Sequence, residues 1–234
     1  RGQPAAVLRC AGPLKGEGRN NQRIDMRRLA ILGASGHGKV VADAALCAGW
    51  DEVCFFDDAW PELERNDEWP VVGDFARLMR REGAEFDAVV VGIGRNDVRL
   101  AKMAALKGAG IPLTSVIHPS AVVSRYASVG EGCVIFGGAI VNVRADLRDG
   151  CIINTGATVD HDCRLAEGVH VSPGANLAGN VMVGEGSWVG IGACVRQGVT
   201  IGRNVMVGAG AAVVSDIPND VTVVGVPAKV VERN

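Results

Sequence analysis

From Ile117 to Val213 an aliphatic residue recurs at every sixth position without a slip: Ile117, Val123, Val129, Ile135, Val141, Leu147, Ile153, Val159, Leu165, Val171, Leu177, Val183, Val189, Val195, Ile201, Val207 and Val213. Four residues after these positions stand small side chains such as Ala121, Cys133, Ala139, Cys151, Cys163, Ala175, Ser187 and Ala211. Three residues after them stand mostly glycines, or Asn180 and Asn204, the residue types that tolerate positive φ. Neither a 3.6-residue helix nor an alternating strand has this spacing, but a hexapeptide parallel β-helix does. Three hexapeptides close one triangular coil, so residues eighteen apart stack about 4.8 Å up the axis. Cys133 and Cys151 are therefore expected as stacked core thiols. A prism of between five and six coils has flat sides and needs its end coils covered. The expectation is that the preceding domain covers one end, that "VTVVGVPAKVV" finishes the other, and that the sides pack in a homotrimer.

The pattern before Ile117 is of another kind. "RLAILGASGHGKVVADAALCAGW" predicts a strand over 29–32, a Gly-rich turn and an amphipathic helix from His37 to Ala48. "EVCFFDD" predicts a strand ending at Asp57 and Asp58, "DFARLMRREG" a helix, "FDAVVVGIG" a strand, and "RNDVRLAKMAALKGAG" a helix closed by glycine. Alternating strands and helices imply a parallel sheet with ligands at the strand C-termini. The fold class is thus an α/β, Rossmann-like domain over 26–114, followed by the β-helix over 115–234. The turn Gly33-Ala-Ser-Gly36-His-Gly38 departs from the GxGxxG spacing, and about 85 residues are too few for a full dinucleotide fold. That favours a mononucleotide or nucleotide-sugar over NAD, the phosphates lying at the helix N-terminus and the acids of the second strand near ribose or base. A tight turn that only packs helix on sheet is the alternative. Residues 1–25 lack periodicity and a signal-peptide core, and are expected to be a disordered extension ahead of a natural start at Met26.

Composition narrows the class of function. Apolar residues make up 48% of the 234, with 32 glycines, and the net charge of -2 argues against an electrostatic grip on nucleic acid or anionic membrane. The longest uncharged stretches are dotted with Gly, Pro, Ser, His and Asn and do not read as membrane spans. A cytoplasmic protein is expected. The seven cysteines show no CxxC spacing. At least four are expected at core-facing or near-core positions of the repeat, as free thiols.

Within the repeat, "VDHDC" puts His161 at a corner and Asp162 where the turn would take glycine, a conformational cost of about 1 kcal/mol. A carboxylate beside an imidazole fixes its tautomer and raises its basicity, the properties of a general base. His170 lies nine residues on, half a coil, so the two imidazoles are expected on different sides of one prism. They can share a site only between neighbouring subunits.

Taken in order, "GASGHGKVV", "FFDD", "GIGRNDVR", "NTGATVDHDC", "GVHVSPGANLAGNV" and "VGVPAKVV" resemble the bacterial sugar acetyltransferases of the left-handed β-helix superfamily, from Met26 to Val231. That group contains nucleotide-4-aminosugar N-acetyltransferases and sialic acid O-acetyltransferases. The resemblance implies acetyl-CoA as co-substrate, no metal, and His161 with Asp162 as the catalytic pair, Asp162 standing where some members carry Glu. It implies that His170 and the Gly179 N–H meet the thioester carbonyl, that Ile191, Gly208 and Ala209 line the coenzyme groove, and that Lys229 reaches a coenzyme phosphate. For the acceptor it implies Ser35, Gly36 and His37 in the sugar-nucleotide loop, Asp57 and Asp58 on the base or ribose side, with Gly94 and Asn154 nearby. Three other readings remain: acetylation of a sialic acid hydroxyl, a non-catalytic nucleotide-binding scaffold, and a zinc carbonic anhydrase on the same prism. The last needs three histidines, and His118, His161 and His170 do not pair at its close ligand spacing.

Overall fold

The computed structural model describes residues 26–231; the extension over 1–25 lies outside them. In the first domain β1 (Arg28–Leu32), β2 (Glu52–Phe56), β3 (Arg65–Asn66), β4 (Trp69–Gly73) and β5 (Ala88–Val91) form a sheet in the order β3-β4-β2-β1-β5. All pairs are parallel except the β3–β4 hairpin. Alternate residues of β1 face opposite cores. Leu29 and Ile31 pack with Val41 and Ala45 of α1 (Gly36–Cys47), whereas Ala30 and Leu32 pack with Leu78 of α2 (Phe75–Met79) and with Met103 and Leu106 of α3 (Asn96–Gly108).

Two local expectations needed correction. The helix over "DFARLMRREG" is the five-residue α2, because Arg81 takes φ 56° and Gly83 φ 99°, turning the chain away. The β3–β4 hairpin was not anticipated; its turn is made at Asp67, φ 52°, in the turn-favouring pair Asn66–Asp67.

The second domain is a left-handed parallel β-helix whose two-residue strands stack with a register of eighteen throughout, for example Thr158 on Asn176 and His170 on Trp188. The clock's aliphatics and the small residues four positions on fill one continuous interior, with Val159, Val171, Ala157 and Ala175 fully buried. Outward positions define three faces. Face one carries Val116, Val134, Ile152, His170, Trp188 and Met206; face two carries Val122, Ile140, Thr158, Asn176, Cys194 and Ala212; face three carries Ser128, Asp146, Arg164, Met182 and Thr200. Left-handed φ values fall at the turn glycines as expected, and also at Arg144 (60°), Asp162 (60°), Asn180 (58°) and Asn204 (51°). Asp162 is therefore one of several non-glycine turns, and its conformation alone marks nothing.

The first domain does not cover the end of the prism. It lies on face one, where Val116, Val134, Phe136 and Ile152 join the same apolar cluster as α1 and β1. Removing such side chains from water is worth roughly 1.5–3 kcal/mol each, so the apolar outward stripe draws the domain to the side. The first coil stays partly open, with Ile117 37% exposed. At the other end strands Thr222–Val224 and Lys229–Val231 form an antiparallel pair that extends face one, burying Val223 and Ala228.

Three repeat cysteines, Cys133, Cys151 and Cys163, are buried, each thiol donating to a carbonyl fifteen residues on at 3.2–3.3 Å. Cys194 departs from the expected placement: it stands one residue before the inward Val195, and so is exposed on face two. No helix among the described residues is long and apolar enough to cross a membrane.

Candidate active site

The site residues fall into three groups. The first sits on the edge joining faces two and three. His161 Nδ1 lies 2.8 Å from Asp162 Oδ2, and Asp160 Oδ1 accepts from the His161 N–H at 2.7 Å and from Asn142 Nδ2 at 2.9 Å. Asp160, not singled out from the sequence, thus fixes the backbone of the histidine while Asp162 fixes its ring. The hydrogen bond to Asp162 raises the His161 pKa, with a smaller contribution from the charge of Asp160. Nδ1 is occupied, so the remaining ring nitrogen, Nε2, is the one free to exchange a proton with a ligand. It lies directly over Gly179, where an added Cβ would stand 2.5 Å from Nε2 and Cε1. A side chain at position 179 would therefore displace the ring from this place.

The second group lies where the first domain meets face one. His37, at the start of α1, is edge-on to Phe136 at 5.4 Å and 6.3 Å from the ring of His170. His170 is 4% exposed and stacks on Trp188 at 4.3 Å. The Asn154 amide oxygen accepts from Thr155 N–H, so its nitrogen is turned to His170 Nε2, 3.2 Å away. That makes Nε2 the acceptor and leaves the proton on Nδ1, a tautomer inferred from the network. Burial, then the charge of Arg99, lowers the His37 pKa to about 4; burial, Arg99 and His37 lower that of His170 to about 3. Both rings are neutral at physiological pH. Ser35 and Gly36 are exposed at the helix start. Asp57 supports their loop from behind, accepting from Ala34 N–H at 2.7 Å and Ala59 N–H at 2.9 Å. Asp58 turns elsewhere, to Phe75 N–H at 3.0 Å and Lys102 Nζ at 3.2 Å, so its carboxylate is engaged away from the loop where the nucleotide was expected. Gly94 accepts from Arg99 Nη1 at 3.0 Å.

The third group follows the edge between faces one and two. Turn hydrogen bonds stack Thr155, Pro173 and Ile191 there, with Gly208 and Ala209 above. Ile191 is 62% exposed. Val224 fills the space beside Gly208, where a Cβ would come within 2.8 Å, and pairs across the strands with the exposed Lys229. The C-terminal tail thus passes this groove. The second and third groups are neighbours, but His161 lies on the edge opposite face one. One chain brings His37, Asn154 and His170 together and holds His161 away from them. Trp188 and Arg99, both central to the second group, were missed: Trp188 lies outside every quoted motif, and Arg99 only ends one of them, "GIGRNDVR".

Comparisons with known proteins agree with this architecture. Residues 28–106 match the family model described as the PglD N-terminal domain. The acetyltransferase domain of PglB from Neisseria gonorrhoeae FA1090, solved in complex with acetyl coenzyme A, is 44% identical, with a TM-score of 0.82 covering 88% of this chain and 99% of that one. The chain belongs to this bacterial left-handed β-helix sugar acetyltransferase family. A second member, PerB from Caulobacter crescentus, solved with CoA and GDP-perosamine, is 40% identical at a TM-score of 0.83, covering 87% of this chain and 97% of that one. UDP-N-acetylbacillosamine N-acetyltransferase of Bacillus subtilis (strain 168) is 39% identical over 118 residues, 47% of this chain and 51% of that enzyme, so this match spans about half of the curated relative's length. Among the described residues no group of three or more His, Cys, Asp or Glu side chains is placed to hold a metal ion.

Proposed function

We propose that the protein is an acetyl-CoA-dependent N-acetyltransferase that acts on the 4-amino group of a nucleotide-linked 4-amino-4,6-dideoxysugar, in surface-glycan biosynthesis in the cytoplasm. The observation that carries this is the His161–Asp162 pair, whose carboxylate holds Nδ1 and frees Nε2 on an exposed edge. In the proposed step Nε2 takes a proton from the acceptor amine as its nitrogen attacks the thioester carbonyl. The N–C bond forms, the C–S bond breaks, and the CoA thiolate leaves and is protonated. No acetyl-enzyme forms. Similarity to PerB, solved with GDP-perosamine and CoA, supports an aminosugar acceptor.

The separation of His161 from the His37–Asn154–His170 group supports sites built between subunits of a homotrimer. In such a site one subunit supplies the base, and its neighbour supplies the sugar-nucleotide loop and the coenzyme groove with Ile191, Gly208, Ala209 and Lys229. The test is CoA release from acetyl-CoA with UDP-, GDP- and dTDP-linked 4-aminosugars and with sialic acid, using wild type and His161→Ala. Turnover of one aminosugar that falls at least a hundredfold in the variant is expected. Turnover of sialic acid alone would replace this reading with O-acetylation, and a monomer by light scattering would remove the shared site.

A further inference from the structure

Arg99 heads the largest fully buried side chains, and among the described residues no carboxylate pairs with it. All five of its guanidinium N–H groups are nevertheless used. Nε donates to the Gly150 carbonyl at 2.8 Å, and Nη1 to the carbonyls of Ile93 and Gly94 at 3.0 Å each. Nη2 donates to the Gly168 carbonyl at 2.8 Å and to Asn96 Oδ1 at 2.9 Å. Asn96 continues the series, its Nδ2 donating to the carbonyls of Gly186 at 2.9 Å and Ser187 at 3.2 Å. Gly150, Gly168 and Gly186 are successive turns of the edge between faces three and one, eighteen residues apart. The same helix presses Met103 and Leu100 onto that edge: a Cβ at Gly132 would stand 2.6 Å from Met103 Cε, and one at Gly168 2.7 Å from Leu100 Cδ1.

One side chain therefore joins the loop that ends β5 to two coils of the β-helix. Lysine carries the same charge but has three donors on one atom, and cannot span five acceptors laid out along a planar fork. We propose that Arg99 is a positioning residue for the acceptor: it clamps the loop bearing Gly94 to the coil turns next to Asn154 and His170, and so sets the gap between the domains across which the nucleotide-linked sugar is held. Burial, with the Arg99 charge as the smaller cause, keeps His37 and His170 neutral, consistent with those rings acting as packing groups. The identity of the held ligand rests on the acetyl-transfer reading; the clamp does not.

The test uses the full chain with Arg99→Lys, which keeps the charge and breaks the fork, and Arg99→Gln, which removes both. With the aminosugar that the wild type turns over best, Arg99→Lys is expected to raise KM for that sugar at least tenfold and to leave KM for acetyl-CoA within twofold. A lowered Tm with both KM values unchanged would assign a purely structural role and overturn the proposal. If the wild type turns over no aminosugar, the functional reading fails and the clamp is read from the imidazole ¹⁵N spectrum of the four histidines. Arg99→Lys is then expected to shift His37 and His170 while His161 stays in place; unmoved His37 and His170 signals would overturn it. Should Arg99→Gln not fold, Arg99→Lys carries both readouts.

Discussion

His161 and His170 are nine residues apart in one regular repeat, yet they occupy opposite chemical surroundings. His161 stands on an open edge with a carboxylate on its ring, which raises its pKa. His170 is enclosed by Trp188, Asn154 and the first domain, with a buried cation nearby, and its pKa falls to about 3. The backbone differs, a corner turn at His161 and a strand at His170, and so does the cover. Docking the first domain on face one turns one imidazole into a fixed neutral group and leaves the other free to accept protons.

The sharpest way to break this comparison is Gly179→Ala. The new methyl would collide with the His161 ring, which is exposed and can swing aside, so the fold should keep its Tm. A displacement of about 1 Å can lower kcat on the order of a hundredfold, and steady-state rates beside a thermal melt would check it. An unchanged kcat would mean that the ring does not act from its place over Gly179.

Asp162→Asn comes next. Losing the hydrogen bond that raises the His161 pKa lowers that pKa, so the acid limb of the kcat/KM profile should move to lower pH while the plateau falls roughly tenfold. A limb that stays in place would argue that another group titrates there.

Acid stability probes the covered side. His37 and His170 have folded pKa values of about 4 and about 3, below the ordinary 6.5. The unfolded chain therefore takes up protons that the folded chain refuses. Their contribution is intact above pH 6.5 and is lost progressively as pH falls toward those folded values, amounting to roughly a few kcal/mol. Urea midpoints should fall between pH 7 and pH 4.5, and less steeply in His170→Gln. In the smallest effect, His170→Gln should leave the acid limb of the rate profile unmoved, because His170 carries no extra proton above pH 5.

Much of this was legible along the chain. The six-residue clock tracks inward positions, and Val159, Val171 and their mates are buried as it requires. The docking side was legible in principle too: Val116, Val134 and Ile152 stand eighteen apart and outward, where face three offers Ser128, Asp146 and Arg164. A rule that follows the core does not register an apolar outer stripe, and the first domain was assigned to the end of the prism instead. The His161–Asp162 pair could be read because it is a contact between neighbours. Arg99 could not, because its acceptors lie up to 69 residues away and are backbone carbonyls, which any sequence supplies.

The seating of α3 against the glycine turns has the character of a vernier. A helix advances 5.4 Å per turn and the coils about 4.8 Å, so the two scales drift by about 0.6 Å with each repeat. Over the short span from Met103 to Asn96 the drift is small enough for side chains to absorb; a much longer helix would fall out of step. Two graduations that nearly match align well at one setting and poorly at those beside it. The first domain therefore has one height at which to sit on the prism, and the level of its glycine loop along the coils is set by that alignment rather than by the tether between the domains.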